Sequence, residues 1–187
     1  MKKLYTTLTL LSIFHIVAYG QLLNDNCADA IAIGEVVDYE FSNINATTDG
    51  PYHIDSPCPS GSIEGQDSIF NDIWYLYTAS FSGDAEWSMC GTADFDTKIG
   101  AYNAGATCPL LDEDLLNCNE DGTNCANSSS TLVFPVTEGE TYMLRLGGYG
   151  MESPGLEGSG TFTISQFDNG IPNDNCSNAS TVQLGTN

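Results

Sequence analysis

The tetrapeptide Asn24-Asp25-Asn26-Cys27 recurs as Asn173-Asp174-Asn175-Cys176, and this recurrence sets the size of the unit that must fold. The second copy begins 149 residues after the first, and the match runs on loosely, Ala28-Asp29-Ala30 against Ser177-Asn178-Ala179. A period of that length belongs to a domain rather than to a solenoid repeat. The expected organisation is one module over residues 21–168, a polar linker over 169–172, and the start of a second, truncated copy over 173–187.

Residues 1–20 have the layout of a secretory signal peptide. Lys2 and Lys3 precede an apolar run from Leu4 to Val17, and Ala18-Tyr19-Gly20 offers small residues for cleavage near Gly20. Thr6, Thr7, Thr9 and Ser12 interrupt the run, and it is short for a membrane span. Export to the cell surface or beyond is therefore expected, with no spanning segment in the mature chain.

Within the module, short β-rich runs alternate with turn residues. Val36 to Phe41, Ile73 to Thr78, Ala85 to Cys90, Thr97 to Tyr102, Leu115 to Asn119, Thr131 to Val136, Thr141 to Leu146 and Gly160 to Phe167 read as strands. Between them lie Ser82-Gly83-Asp84, Asn103-Ala104-Gly105, Asn119-Glu120-Asp121-Gly122 and Glu138-Gly139. No amphipathic helix stands out; the patch from Pro109 to Leu116 is short and acidic. About eight short strands without crossover helices predict an all-β fold, an antiparallel, jelly-roll-like β-sandwich.

Seven cysteines are present, and Cys176 belongs to the second copy. The other six form an even set in an exported chain, so disulfide staples are expected. Zinc competes poorly: there is no Cys-x-x-Cys pair, and His53 is the only histidine after residue 20. Sequence does not fix connectivity. A set of local pairings is expected: Cys27–Cys58 tying the N-terminal strand, Cys90–Cys108 around one hairpin, and Cys118–Cys125 across a turn.

After cleavage only Lys98 and Arg145 remain as cations against 25 acidic residues. Nucleic acid and anionic lipid, which need basic patches, are excluded as partners. Bound divalent cations would relieve the self-repulsion of such a chain. Asp94, Asp96, Asn119, Glu120 and Asp121 supply carboxylate and amide oxygens from two loops, the ligand chemistry that calcium takes. The same residue types also cap turns through backbone hydrogen bonds. Trp87, flanked by Glu86 and Ser88, is a candidate for stacking against a sugar, whereas Trp74 sits in the most apolar strand and reads as core. A nucleophilic triad would have to recruit His53 from a Pro/Gly/Ser-rich loop, and nothing marks two carboxylates as a catalytic pair.

The ordered series Asn-Asp-x-Cys-x-x-Ala, Asp72-Ile73-Trp74-Tyr75, Cys90-Gly91-x-x-x-Phe95-Asp96-Thr97, Cys118-Asn119-Glu120-Asp121, Glu138-Gly139-x-x-Tyr142, Gly147-Gly148-Tyr149 and Gly160-Thr161-Phe162-Thr163-Ile164 resembles the bacterial pre-peptidase C-terminal type of module, and within it the cysteine-rich relatives of secreted multidomain proteins. The resemblance spans Asn24 to Phe167. It implies a jelly-roll-like sandwich without catalytic residues, which aids secretion, attachment or spacing of a larger protein. It also implies calcium ligation near the N-terminus, carried over here onto Asn24 and Asp25 with Asp72 as a further acidic ligand and Asp67 as a looser match. The expectation is thus a non-catalytic secreted accessory module for extracellular binding, adhesion or spacing, with an extracellular polymer or protein and further domains of the same chain as partners. A carbohydrate-binding module is the first alternative, and a small secreted hydrolase the second.

Overall fold

The computed structural model describes residues 22–52, 69–150 and 155–168. The expected signal peptide, linker and second copy, and the residues Cys58, His53 and Asp67, lie outside the described residues.

Among the described residues nine strands form two packed sheets: β1 (Ile31–Ile33), β2 (Val36–Ser42), β3 (Phe70–Thr78), β4 (Gly83–Ser88), β5 (Thr97–Tyr102), β6 (Leu115–Asn119), β7 (Thr131–Val136), β8 (Thr141–Gly148) and β9 (Ser159–Gln166). The first sheet has the order β1-β3-β8-β5-β6 and the second β2-β9-β4-β7. Among the described residues the only helical elements are three short 3-10 turns. The all-β sandwich expected from the turn-and-strand rhythm is therefore present, with one strand more than the pattern suggested. The extra strand, β1, pairs parallel to β3 through Ile31↔Tyr75 and Ile33↔Tyr77. Its three residues are too few to show a period, and its parallel sense departs from the wholly antiparallel expectation. The β2 excursion into the other sheet lets the chain return beside β1 in the same direction.

Each sheet turns an apolar face inward. Tyr75, Tyr77, Ile99, Ala101, Leu144 and Leu146 of the first sheet meet Phe41, Trp87, Phe134, Phe162 and Ile164 of the second. The aromatic rings cross edge to face: Trp87 and Phe162 at 82° with centroids 5.9 Å apart, Tyr75 and Phe162 at 73° and 5.1 Å. Such pairs add about 0.5–1.5 kcal/mol each beyond the area they bury.

A second apolar cluster covers the outer face of the first sheet. Trp74, Tyr102 and Met143 pack there with Leu110, Leu115, Cys27 and Cys118. This cover explains why β3 reads as an unbroken apolar run, since both its faces are buried.

The disulfides differ from the local set. Cys27 is bonded to Cys108, Cα atoms 5.9 Å apart, so the expected Cys27–Cys58 pair does not form. Cys90 is bonded to Cys125, Cα atoms 4.8 Å apart, which overturns both Cys90–Cys108 and Cys118–Cys125. Cys118 is itself disulfide-bonded. The topology gives the reason. Strands β4 and β5 lie in different sheets and form no hairpin, which separates Cys90 from Cys108. Instead Ser88 is opposite Thr131 in the β4–β7 ladder, so the residues just after β4 meet those just before β7. Cys27 reaches Cys108 because the N-terminal segment and the 106–110 segment share the outer cluster.

The open side between β6 and β7 is laced by asparagines. Asn117 Nδ2 donates to the Val133 carbonyl at 2.9 Å, and the Thr131 N–H donates to Asn119 Oδ1 at 3.2 Å.

Candidate functional site

The N-terminal ligands predicted for calcium, Asn24, Asp25 and Asp72, all become buried, but they are spent on fastening the chain. Asn24 clips onto β3: its side-chain amide donates to the Trp74 carbonyl at 3.1 Å, and the Trp74 N–H donates to the Asn24 carbonyl at 2.9 Å. Asp25 accepts from the backbone N–H and the hydroxyl of Thr47. Asp72 Oδ1 accepts the Asp49 N–H and Oδ2 the Gly50 N–H, both at 3.1 Å. Oδ2 also accepts from Nε of Arg145, which is fully buried. Burial pushes the Asp72 carboxyl above its ordinary range, against the pull of Arg145. The donors that crowd these oxygens leave the trio a poor fit for a cation.

Sequence reasoning missed three residues that organise this region. Arg145 donates Nη1 to the Pro51 carbonyl at 2.8 Å and Nη2 to the Ile69 carbonyl at 2.7 Å, and its guanidinium sits 5.3 Å from the Trp74 ring. Asp49 accepts Trp74 Nε1 at 2.7 Å and the Cys27 N–H at 2.9 Å. Asn43, fully buried, donates to the carbonyls of Asn71 and Leu156 and accepts the Gly158 N–H. The signal for Arg145 was available: it is one of two cations after residue 20 and stands in an apolar strand. Asp49 and Asn43 lie in a polar loop with no distinguishing pattern.

The fold diverts Asp94 and Asn119 of the second predicted cluster to other partners and keeps Asp96 within reach of the charges of Glu120 and Asp121. Asp94 is used locally, accepting the Ser159 N–H at 2.7 Å and its hydroxyl at 3.2 Å. Asn119 serves the β6–β7 lacing and donates at 3.4 Å to the Asp121 carbonyl. Glu120 lies 3.5 Å from Nζ of Lys98, whose side chain is fully buried. Asp96 Oδ1 is buried without a hydrogen-bond partner. Burial pushes the Asp96 carboxyl up to about 6, the charges of Asp121 and Glu120 add to the rise, and Lys98 opposes it. Among the described residues no group of three or more His, Cys, Asp or Glu side chains is arranged to hold a metal ion.

Trp87 offers no stacking platform. It points into the core with none of its surface exposed, because residue 87 shares the inward parity of Ala85 on β4. The hydrophilic neighbours Glu86 and Ser88 mark the opposite face of the same strand.

What the outward face of the second sheet carries instead is hydroxyl chemistry. Phe162 and Ile164 point inward, so Thr161 and Thr163 face out beside Ser88, which is opposite Thr163 in the β4–β9 ladder. A cleft of about 110 Å³ lies here, lined by Asp38 and the hydroxyl residues Ser88, Thr92, Thr161 and Thr163, with Cys90 and Phe162 supplying its apolar part. Comparison with protein-family models, curated proteins and solved structures finds no match to this chain.

Proposed function

We propose that this chain is a non-catalytic, exported accessory module that attaches or spaces a larger tandem-repeat protein outside the cell. One observation carries the reading: the recurring tetrapeptide is a clasp. In its first occurrence Asn24 holds β3, Asp25 holds Thr47, and Cys27 both donates its N–H to Asp49 and is bonded to Cys108. A tetrapeptide of which three residues close the start of a sandwich is the sequence expected to return where another sandwich starts. The disulfides support an oxidising destination. The sandwich agrees with the fold implied by the resemblance to pre-peptidase C-terminal modules.

Limited proteolysis of the secreted protein tests the modular reading. Cleavage is expected within 169–172, releasing a 21–168 fragment that keeps the melting midpoint of the parent. A fragment that unfolds on release would sink the modular reading. Turnover of ester, peptide or glycosidic substrates by purified protein would remove the non-catalytic one.

Calcium enters the proposal as a stabiliser of the acidic loops around Asp96, Glu120 and Asp121, where burial chiefly, and then the charges of Asp121 and Glu120, raise the Asp96 carboxyl. A melting midpoint that rises with calcium and falls back with chelator is the expected result. Equal midpoints in both conditions eliminate calcium from the reading.

A further inference from the structure

We infer that the cleft on the outward face of the second sheet binds one sugar residue of a neutral extracellular glycan, with Asp38 accepting its hydroxyls and Ser88, Thr92, Thr161 and Thr163 lining the seat. This deepens the attachment role proposed above and rests on it.

The construction begins with the register. Strands β2 and β9 pair through Val36↔Ile164 and Tyr39↔Phe162, with an irregularity between them. The bulge places Asp38 beside Thr163, whose Oγ1 accepts the Asp38 N–H at 3.3 Å. Asp38 has φ of 51°, a left-handed conformation that Asp and Asn tolerate better than most residues. Its exposed side chain forms one wall of the cleft. Thr161 and Thr163 form the floor. The segment leaving β4 forms the other wall, held in place because Thr92 Oγ1 donates to the carbonyls of Met89 at 2.9 Å and Thr161 at 2.6 Å. Ser88 Oγ accepts the Cys90 N–H at 3.3 Å, which leaves its own proton to give. Thr163, an acceptor towards Asp38, likewise retains a proton to donate.

Charge selects the ligand class. The two cations of the mature chain, Lys98 on β5 and Arg145 on β8, both belong to the other sheet. Nothing basic lines the cleft, and an anion would meet Asp38 unshielded. A metal ion would find a single carboxylate where calcium wants six to eight oxygens. A polyol satisfies both constraints: one carboxylate accepts from neighbouring hydroxyls, and serine and threonine hydroxyls donate to or accept from the rest. At about 30 Å³ per water, the cleft displaces roughly three or four waters, the edge of one pyranose ring. With no exposed aromatic ring to stack on it, such a ligand is held by hydrogen bonds alone. That predicts dissociation constants of about 1 mM or weaker, useful through multivalency.

The test is a ¹⁵N NMR titration of the mature protein with the methyl glycosides of glucose, mannose, galactose, xylose and N-acetylglucosamine, each to about 50 mM. At least one is expected to shift the amides of Asp38, Ser88, Thr92, Thr161 and Thr163. Asp38→Asn, which keeps the left-handed backbone accessible, is expected to weaken that binding about tenfold, as is fitting for loss of a charged acceptor. Thr161→Val, which suits a strand, is the second variant and is expected to weaken it measurably while leaving the melting midpoint unchanged. Absence of shifts with all five glycosides overturns the inference. Shifts that map elsewhere and survive both variants also overturn it, but leave the attachment role standing. The attachment role itself fails separately, if the protein sediments with no extracellular polymer.

Discussion

Replacing Asp96 by asparagine is expected to stabilise the protein at neutral pH. The carboxyl is raised to about 6 by burial and by the charges of Asp121 and Glu120. A group whose folded value lies above its unfolded one adds nothing unfavourable below the unfolded value, where both states are protonated. It costs stability as pH climbs through the folded value, because the native state must then carry a charge it disfavours. At about 1.36 kcal/mol per unit, the whole rise from 3.8 would be worth roughly 3 kcal/mol. Asp96 is only half-buried, so solvent screens much of this, and about 1 kcal/mol is the realistic gain. The asparagine amide can donate towards Glu120 and Asp121, where the carboxylate can only repel. Thermal melts of wild type and Asp96→Asn between pH 4 and pH 8 measure the difference. For a protein of this size the variant should melt about 2–4 °C higher at pH 7.5, and the gap should nearly close at pH 4. A variant that melts at or below the wild type at pH 7.5, or a gap that persists at pH 4, refutes the reasoning.

Arg145→Met should be among the most damaging single changes, because it strands the fully buried Asp72 charge and leaves the carbonyls of Pro51 and Ile69 without their donors. A loss of about 3–5 kcal/mol in urea unfolding is expected, and a loss under 1 kcal/mol would mean the pair is not buried as described. Asn43→Ala should cost about 2–4 kcal/mol by the same assay, since it orphans the Gly158 N–H and two carbonyls. Removing Cys90–Cys125 by paired serine substitution should lower stability by about 3–4 kcal/mol, the loop-entropy value for a closure of this length. Peptide mapping of the unreduced protein should recover Cys27 joined to Cys108, and recovery of Cys27 joined to Cys58 would contradict the fold itself.

Strand identity was legible because it is written locally. Ile73 to Thr78, Thr97 to Tyr102, Leu115 to Asn119 and Thr131 to Val136 announce themselves by β-branched and aromatic residues bounded by turns, and each forms a strand there. What was not legible depends on which sheet a strand joins. The cysteine pairings fail for that reason: chain proximity suggested Cys118 with Cys125, whereas the chain crosses between the sheets over that interval. The acidic residues were misjudged for a related one. Asp25 and Asp72 look like cation ligands in a chain with few cations, but backbone N–H groups of the 47–50 loop and one arginine from a distant strand reach them first. Lys98 shows the same limit: its place in an alternating strand does not tell that it is fully buried, with Glu120 3.5 Å from its Nζ and the Tyr149 ring 5.9 Å away.

The asparagine lacing between β6 and β7 has a consequence for life in an array. Modules joined by a linker as short as the one proposed over 169–172 would meet one another at effective concentrations of about millimolar or higher, conditions in which an open strand edge invites a neighbour to add on. Asn117 and Asn119 turn the two exposed edges of one flank towards each other, so that flank offers an incoming strand fewer unmet backbone groups. On the opposite flank β1 is only three residues long, and β2 is kinked by the left-handed turn at Asp38. The same bulge that shapes the cleft therefore also acts as insulation, and in the proposed array it would keep neighbouring sandwiches from fusing into one sheet.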